Sequence, residues 1–198
     1  MNNFDRIIVF PGTHMAGVPY QIGHHNPTEL PYIGAGAQGA VFQISAQQCV
    51  KIFVNESDAE TEAKALLAAA SASFIPLVYE VGRNYIVMEY FSGPGLKAFL
   101  TNRSDFPDFI AEQLVLIIQE MRRIQFTRID TALRHVYVTP ENTLKVIDHV
   151  NSYRTVQPYP QRMLKSLSNI GCLQPFLTYV SHQHPELYFE WSQAQIIP

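Results

Sequence analysis

Charge is scarce in this chain, and so is cysteine. Only 16% of its 198 residues are charged, against 47% hydrophobic, a balance that excludes wholesale disorder and allows a sizeable core. The 14 Lys and Arg do not outnumber the 17 Asp and Glu, and the formal net charge is −3. A protein built around the phosphate backbone of nucleic acid carries the opposite excess, so no nucleic-acid partner is expected. Two cysteines, Cys49 and Cys172, make no disulfide scaffold and suit a reducing cytoplasm. Long apolar runs are missing too. The uncharged stretch 65–79 includes Ser71, Ser73 and Pro76, short of the roughly 18 or more apolar residues of a spanning helix. The first residues, MNNFDRIIVFPG, carry an acid and a Pro-Gly pair where a signal peptide would need its apolar core. The expectation is a cytoplasmic protein with no membrane partner, of a length that fits one large domain or two small lobes. Internal repeats and low-complexity tracts are absent.

The patterns that are present change character along the chain. Residues 1–30 hold Gly12, Gly17 and Gly23 among isolated hydrophobics and read as a weak strand over 6–10 followed by loop. Tyr32-Ile33, GAGAQGA, VFQI, a polar SAQQ turn and CVKIFV then predict a Gly-rich connection into a hairpin. Ser57 with Glu60 three residues on has capping-box spacing and predicts a helix from there to about Ser73. Glu62, Leu66 and Ala69 would share one face of that helix. Strands over 77–81 and 85–91 follow, and SGPG at 92–95 interrupts the chain. Beyond it come a short helix over 96–100 and a longer one from Pro107, where Ile110, Leu114, Ile117, Met121 and Ile124 keep steps of four and three. A second hairpin flanks TPENT, a helix is expected over 162–173, and Tyr188, Phe189 and Trp191 should pack the end of the chain onto the core. The expected fold class is α+β: an antiparallel sheet with one helix in residues 1–91, a hinge at 92–95, and a mainly helical part over 96–198.

Gly34, Gly36 and Gly39 form G-x-G-x-x-G. A dinucleotide fingerprint needs a helix directly after the third glycine, to hold a pyrophosphate at its N-terminus. Here the third glycine runs into AVFQI, a strand pattern. A glycine loop between two strands can instead lay backbone N–H groups over a triphosphate, or be an ordinary hairpin turn. Lys51 lies 17 residues after Gly34, amid apolar strand residues. A lysine there is costly to bury without a partner, and Glu62 is the candidate; an edge lysine facing water is the alternative. Asp130 and Asp148 bracket the second hairpin, where they could cap a turn and end a strand or do chemistry. His24-His25 and His182/His184 lack a third clustered ligand and read as solvated loop histidines. No G-x-S-x-G elbow is present.

The run IGAGAQGAVF, VKIF, Glu62 and VMEYFSGPG resembles, in order and spacing, the N-terminal lobe of the protein kinase fold. The later DTALRH and KVIDHV runs resemble compact bacterial serine/threonine-protein kinase-like proteins with a truncated C-terminal lobe. The resemblance covers about residues 31–154. It implies a bilobal single domain and ATP-dependent transfer of a γ-phosphate to a hydroxyl, of a protein Ser/Thr or of a small molecule. It implies a phosphate loop at Gly34, Gly36 and Gly39, Lys51 on the α- and β-phosphates, and Glu62 orienting Lys51. Met88 becomes the gatekeeper, the backbone of Glu89-Tyr90-Phe91 the adenine hinge, and Val41, Val50 and Met88 the apolar walls. Asp130 falls on the catalytic aspartate, Asp148 on the metal-binding one, and His135 on the asparagine that accompanies it, with Mg²⁺ or Mn²⁺ as the implied metal.

The departures carry chemistry of their own. Ile129 stands where many kinases place an arginine that reads activation-loop phosphorylation. His135 is softer than an amide oxygen and suits Mn²⁺ better than Mg²⁺. No A-P-E-like motif follows Asp148, so the peptide-docking platform is expected to be missing. A pseudokinase that binds ATP without transferring phosphate is the alternative reading of the same residues.

Overall fold

The computed structural model describes residues 3–12 and 22–197; Gly17, assigned to loop from sequence, lies outside them. The chain divides into two compact units. One comprises residues up to Ala70 with Pro76–Phe91, the other Ser71–Ile75 with Ser92–Pro198. The five residues Ser71–Ile75 thus join the second unit, against the single boundary expected at 91. The backbone explains why: Phe74 C=O accepts the Val146 N–H at 2.8 Å and Ile75 C=O accepts Lys145 Nζ at 3.3 Å.

The first unit is built on a five-stranded antiparallel sheet of β3 (Tyr32–Ala35), β4 (Gly39–Gln43), β5 (Gln48–Phe53), β6 (Val78–Val81) and β7 (Tyr85–Glu89), in the order β3-β4-β5-β7-β6. Ahead of it, β1 (Ile8–Phe10) pairs with β2 (Gly23–His25), so residues 23–25 of the expected N-terminal loop are strand. Its three residues, Gly-His-His, have little strand propensity of their own; pairing with β1 supplies the backbone bonds. Strand periodicity gives the main sheet two faces. Ala40, Phe42, Val50, Ile52 and Val87 form a core with Phe4, Ile7 and Ile22. Val41, Cys49, Lys51, Ile86 and Met88 pair across β4, β5 and β7 on the other face.

Helix α1 (Glu56–Ala68) follows β5 and starts before the expected Ser57 cap. Asn55 takes the N-cap position with extended backbone, and its side chain makes no capping bond. Ser57 sits inside the first turn, its C=O accepting Thr61 Oγ1 at 2.6 Å. The predicted face holds: Glu62, Leu66 and Ala69 are buried.

In the second unit α2 (Leu96–Thr101) and α3 (Asp108–Arg123) precede the hairpin β8 (Val136–Val138) and β9 (Leu144–Val146). Pro107 is the N-cap of α3, so the helix starts at Asp108, one place after the expected start. Ile110, Leu114, Ile117 and Met121 are buried along its stripe, each contributing about 1.5–3 kcal/mol of transfer free energy. Pro94 C=O accepts the Val138 N–H at 3.0 Å, and Gly95 bridges to Tyr137. Gly93 (φ +153°) lies so close to β8 that a Cβ there would meet Val138 O at 2.0 Å, so only glycine fits.

The chain after Asp148 holds more helix than expected: α4 (Gln161–Ser168), α5 (Leu173–Gln183) and α6 (Pro185–Gln193). Pro175 in the first turn of α5 and a short apolar pattern hid the second of these. Trp191 is fully buried and stacks 6.2 Å from Phe176, whereas Phe189 is exposed, so of the two only Trp191 packs inward. Among the described residues, no helix is long and apolar enough to cross a membrane.

Candidate functional site

In the first unit the candidate residues collect on one face of the sheet because β4, β5 and β7 run in register. Val41 opposes Lys51, Lys51 opposes Ile86, and Cys49 opposes Met88. Lys51 Nζ reaches Glu62 Oε2 of α1 at 2.5 Å, with side-chain exposures of 12% and 3%, and lies 4.8 Å from the centre of the Phe53 ring. An ammonium and a carboxylate at that depth are tolerable only as a pair. The edge-lysine alternative is therefore gone: Lys51 points at α1. Val50 is corrected. The alternation that brings Lys51 to this face turns Val50 to the opposite one, into the core with Phe42 and Ile52, and Cys49 takes the expected place beside Val41 and Met88. The i, i+2 spacing from Lys51 was the signal for it. Burial first, and the Glu89 charge second, push the Cys49 thiol up to about 12, with Lys51 opposing; the thiol behaves as a small apolar group.

The glycine loop joins two strands, β3 and β4, and closes with Gly36 N–H donating to Gly39 O at 3.0 Å. Its three glycines differ. A Cβ on Gly34 or Gly36 would meet nothing within 4 Å, while one on Gly39 would lie 2.4 Å from Ile52 O. Gly39 is required for β4 to pack on β5; Gly34 and Gly36 leave open space in which a phosphate could approach the backbone. At the far end of the face, the Glu89 and Tyr90 N–H groups donate to Leu77 O at 2.7 Å and Gln47 O at 2.9 Å, and Glu89 O accepts the Cys49 thiol at 3.7 Å. Phe91 ends this unit.

In the second unit Asp130 is buried and Asp148 half-exposed. Asp130 Oδ1 accepts the Arg162 backbone N–H in the first turn of α4, and Arg162 Nε lies 3.4 Å from Oδ2. Nothing in the sequence flagged Arg162, which stands 32 residues away. Asp148 adopts φ +67°, an αL conformation uncommon outside glycine. Its Oδ1 is buried without a hydrogen-bond partner among the described residues, and Oδ2 lies 3.5 Å from His135 Nε2. That nitrogen accepts Arg134 Nε–H at 3.1 Å, so its lone pair, like the carboxylate, is an acceptor. The orphaned carboxylate oxygen suits a divalent cation, and a cation that also used His135 Nε2 would have to displace Arg134 from that nitrogen's single lone pair. Arg134 stands in for part of that positive charge. No group of three His, Cys, Asp or Glu gathers as a metal site among the described residues, so a cation here would take its remaining ligands from outside the protein, as Mg²⁺ commonly does. A groove of about 400 Å³, lined by Phe126, Ile129, Val156, Tyr159 and the Arg122–Glu190 pair, opens in the same unit.

No known protein-family profile matches the chain. The chain is similar to a Bacillus subtilis (strain 168) protein named "Putative serine/threonine-protein kinase YrzF", with 27% identity over 125 residues, 61% of this chain and 58% of that protein. The chain therefore spans little more than half the length of the curated relative it matches. The α+β architecture is compatible with a kinase-like fold.

Proposed function

We propose that the chain is an ATP-dependent phosphotransferase of the protein-kinase-like class, passing the γ-phosphoryl group to a hydroxyl, with Ser or Thr of a protein as the acceptor. The observation that carries this reading is the buried Lys51–Glu62 pair at 2.5 Å, on the face that also bears Val41, Cys49 and Met88 and continues into a glycine loop with open space at Gly34 and Gly36. Residues 1–91 would handle the nucleotide, 92–95 join, and 96–198 handle metal and acceptor.

In this reading the glycine loop of Gly34, Gly36 and Gly39 lies over the phosphates, which approach through the open space at Gly34 and Gly36, and Lys51, held out by Glu62, pairs with the α- and β-phosphates. Val41, Cys49 and Met88 enclose the base, whose polar edge meets the backbone of Glu89, Tyr90 and Phe91. Asp148 with His135 would hold Mg²⁺ or Mn²⁺, which when bound neutralises charge on the phosphates. Asp130 orients the acceptor hydroxyl. As the bond from γ-phosphorus to the ADP oxygen breaks, the bond to the acceptor oxygen forms, and the hydroxyl proton leaves toward Asp130. Catalysis comes from positioning and charge neutralisation.

A second reading, a nucleotide-binding regulatory module without transfer, draws on the engagement of Asp130 by Arg162. One experiment separates them. With γ-labelled ATP and either metal, the chain should label a Ser/Thr acceptor protein, and Lys51→Ala and Asp130→Asn should each lose about a hundredfold or more. Nucleotide with metal at 100 times Kd should stabilise by about 2.7 kcal/mol, a Tm rise of roughly 5–10 °C. Stabilisation without label leaves the second reading; neither effect removes both. Equal activity with Mg²⁺ and Mn²⁺ at equal low concentration, unchanged in His135→Asn, removes His135 as a ligand.

A further inference from the structure

The Asp130 side chain is 5% exposed, and both contacts that compensate its burial come from a single residue. Arg162 gives its backbone N–H to Oδ1 and brings Nε to 3.4 Å from Oδ2, while its own side chain stays 56% exposed. The main chain beside Asp130 is held separately. Arg128 N–H donates to Ser152 O at 3.1 Å, Ile129 N–H to Gln157 O at 3.0 Å, Gln157 N–H to Thr127 O at 2.8 Å and Thr127 Oγ1 to Thr155 O at 2.8 Å. Residues 152–157 form a strap along 127–129, and the chain then enters α4 through Pro160, which places Arg162 at the carboxylate. Ile129 fills the space before Asp130 with 1% exposure. The residue next to the carboxylate is therefore an apolar plug with no charge to offer.

We infer that Arg162 is the positioning residue for Asp130. The backbone hydrogen bond to Oδ1 and the ion pair at 3.4 Å to Oδ2 come from one residue and together orient the carboxylate. An oxygen that has accepted one hydrogen bond keeps a second lone pair, so the same grip leaves the carboxylate able to receive the acceptor hydroxyl. This inference rests on the phosphotransferase reading for its catalytic meaning, but the grip itself does not.

Two measurements test it. The first needs no activity: thermal melts of Asp130→Asn, Arg162→Ala and the double variant, without nucleotide. The two substitutions should be non-additive by about 2–6 °C; additivity within about 1 °C overturns the grip. The second is kinetic. Arg162→Ala keeps the backbone N–H and loses the guanidinium, so kcat should fall about tenfold while KM for ATP stays within about twofold, and Arg162→Lys should recover a substantial part of the loss. An unchanged kcat, or a loss that Arg162→Lys does not relieve, overturns the positioning role. If the parent chain transfers no phosphate, the phosphotransferase reading and the catalytic meaning of Arg162 fall together, and the melts still decide the grip.

Discussion

The two units solve the problem of buried charge in opposite ways. In the first, Lys51 and Glu62 satisfy each other on regular elements, a strand and a helix, with exposures of 12% and 3%. In the second, Asp130 and Asp148 sit on irregular backbone: Asp130 borrows its partners from α4, and Asp148 holds an αL conformation with one buried oxygen that has no partner among the described residues. Groups paired within a protein stabilise it, whereas unpaired buried acceptors store cost that a ligand can recover. The first unit is thus a finished scaffold and the second carries the reactive expense.

The contrast can be broken first at its strongest point. Lys51→Ala strands Glu62 in an apolar interior, at a cost of about 3–5 kcal/mol and a Tm lower by roughly 6–20 °C. A melt within about 2 °C of the parent chain would show the pair to be dispensable. The next test lies at Gly39 and Gly36. Gly39→Ala drives a methyl into Ile52 O and should cost about 1–3 kcal/mol, whereas Gly36→Ala, with open space around it, should leave the urea midpoint nearly unchanged. A reversed order would mean that Gly36, not Gly39, is the structural glycine.

Asp148 should respond in the opposite direction to Lys51. Asp148→Gly removes the orphaned oxygen and relieves the positive φ, so the metal-free Tm should rise by about 2–4 °C, near 1 kcal/mol. Mn²⁺ retention, read by electron paramagnetic resonance with nucleotide present, should disappear. A fall in metal-free stability would show Asp148 to be a structural residue. The smallest effect concerns the thiols. Burial and the Glu89 charge hold Cys49 near 12, while Cys172, raised by desolvation alone, is only partly buried. Iodoacetamide at pH 8 should modify Cys172 first, by about tenfold or more in rate, as peptide mass mapping would read.

Legibility followed regularity. The Lys51–Glu62 pairing was readable because period 2 in β5 and period 3.6 in α1 project side chains to known faces. The same rule, applied one residue further, would have replaced Val50 with Cys49. The cap of α1 was misplaced because Asn55 and Ser57 are both good cap residues, and sequence alone does not say which one turns extended. The β1–β2 pairing and α5 went unread because Gly23-His24-His25 and a proline-bearing segment have little local preference to display. The partners of Asp130 were not legible, since contacts across 32 residues leave no periodic trace.

What the sequence determined by itself is the inventory and much of its order: an antiparallel sheet with one helix, a glycine loop between strands, a lysine with a matching glutamate, and two aspartates around a hairpin. Those follow from local sterics and side-chain periodicity, which act within a few residues. The tertiary structure decided what each of these groups touches. Packing turned Val50 away and Cys49 inward, brought Arg162 to Asp130, and left Asp148 Oδ1 without a partner among the described residues. The physical reason is that hydrogen bonds and ion pairs at buried sites are set by which segments meet in space, and no pattern along the chain encodes that meeting.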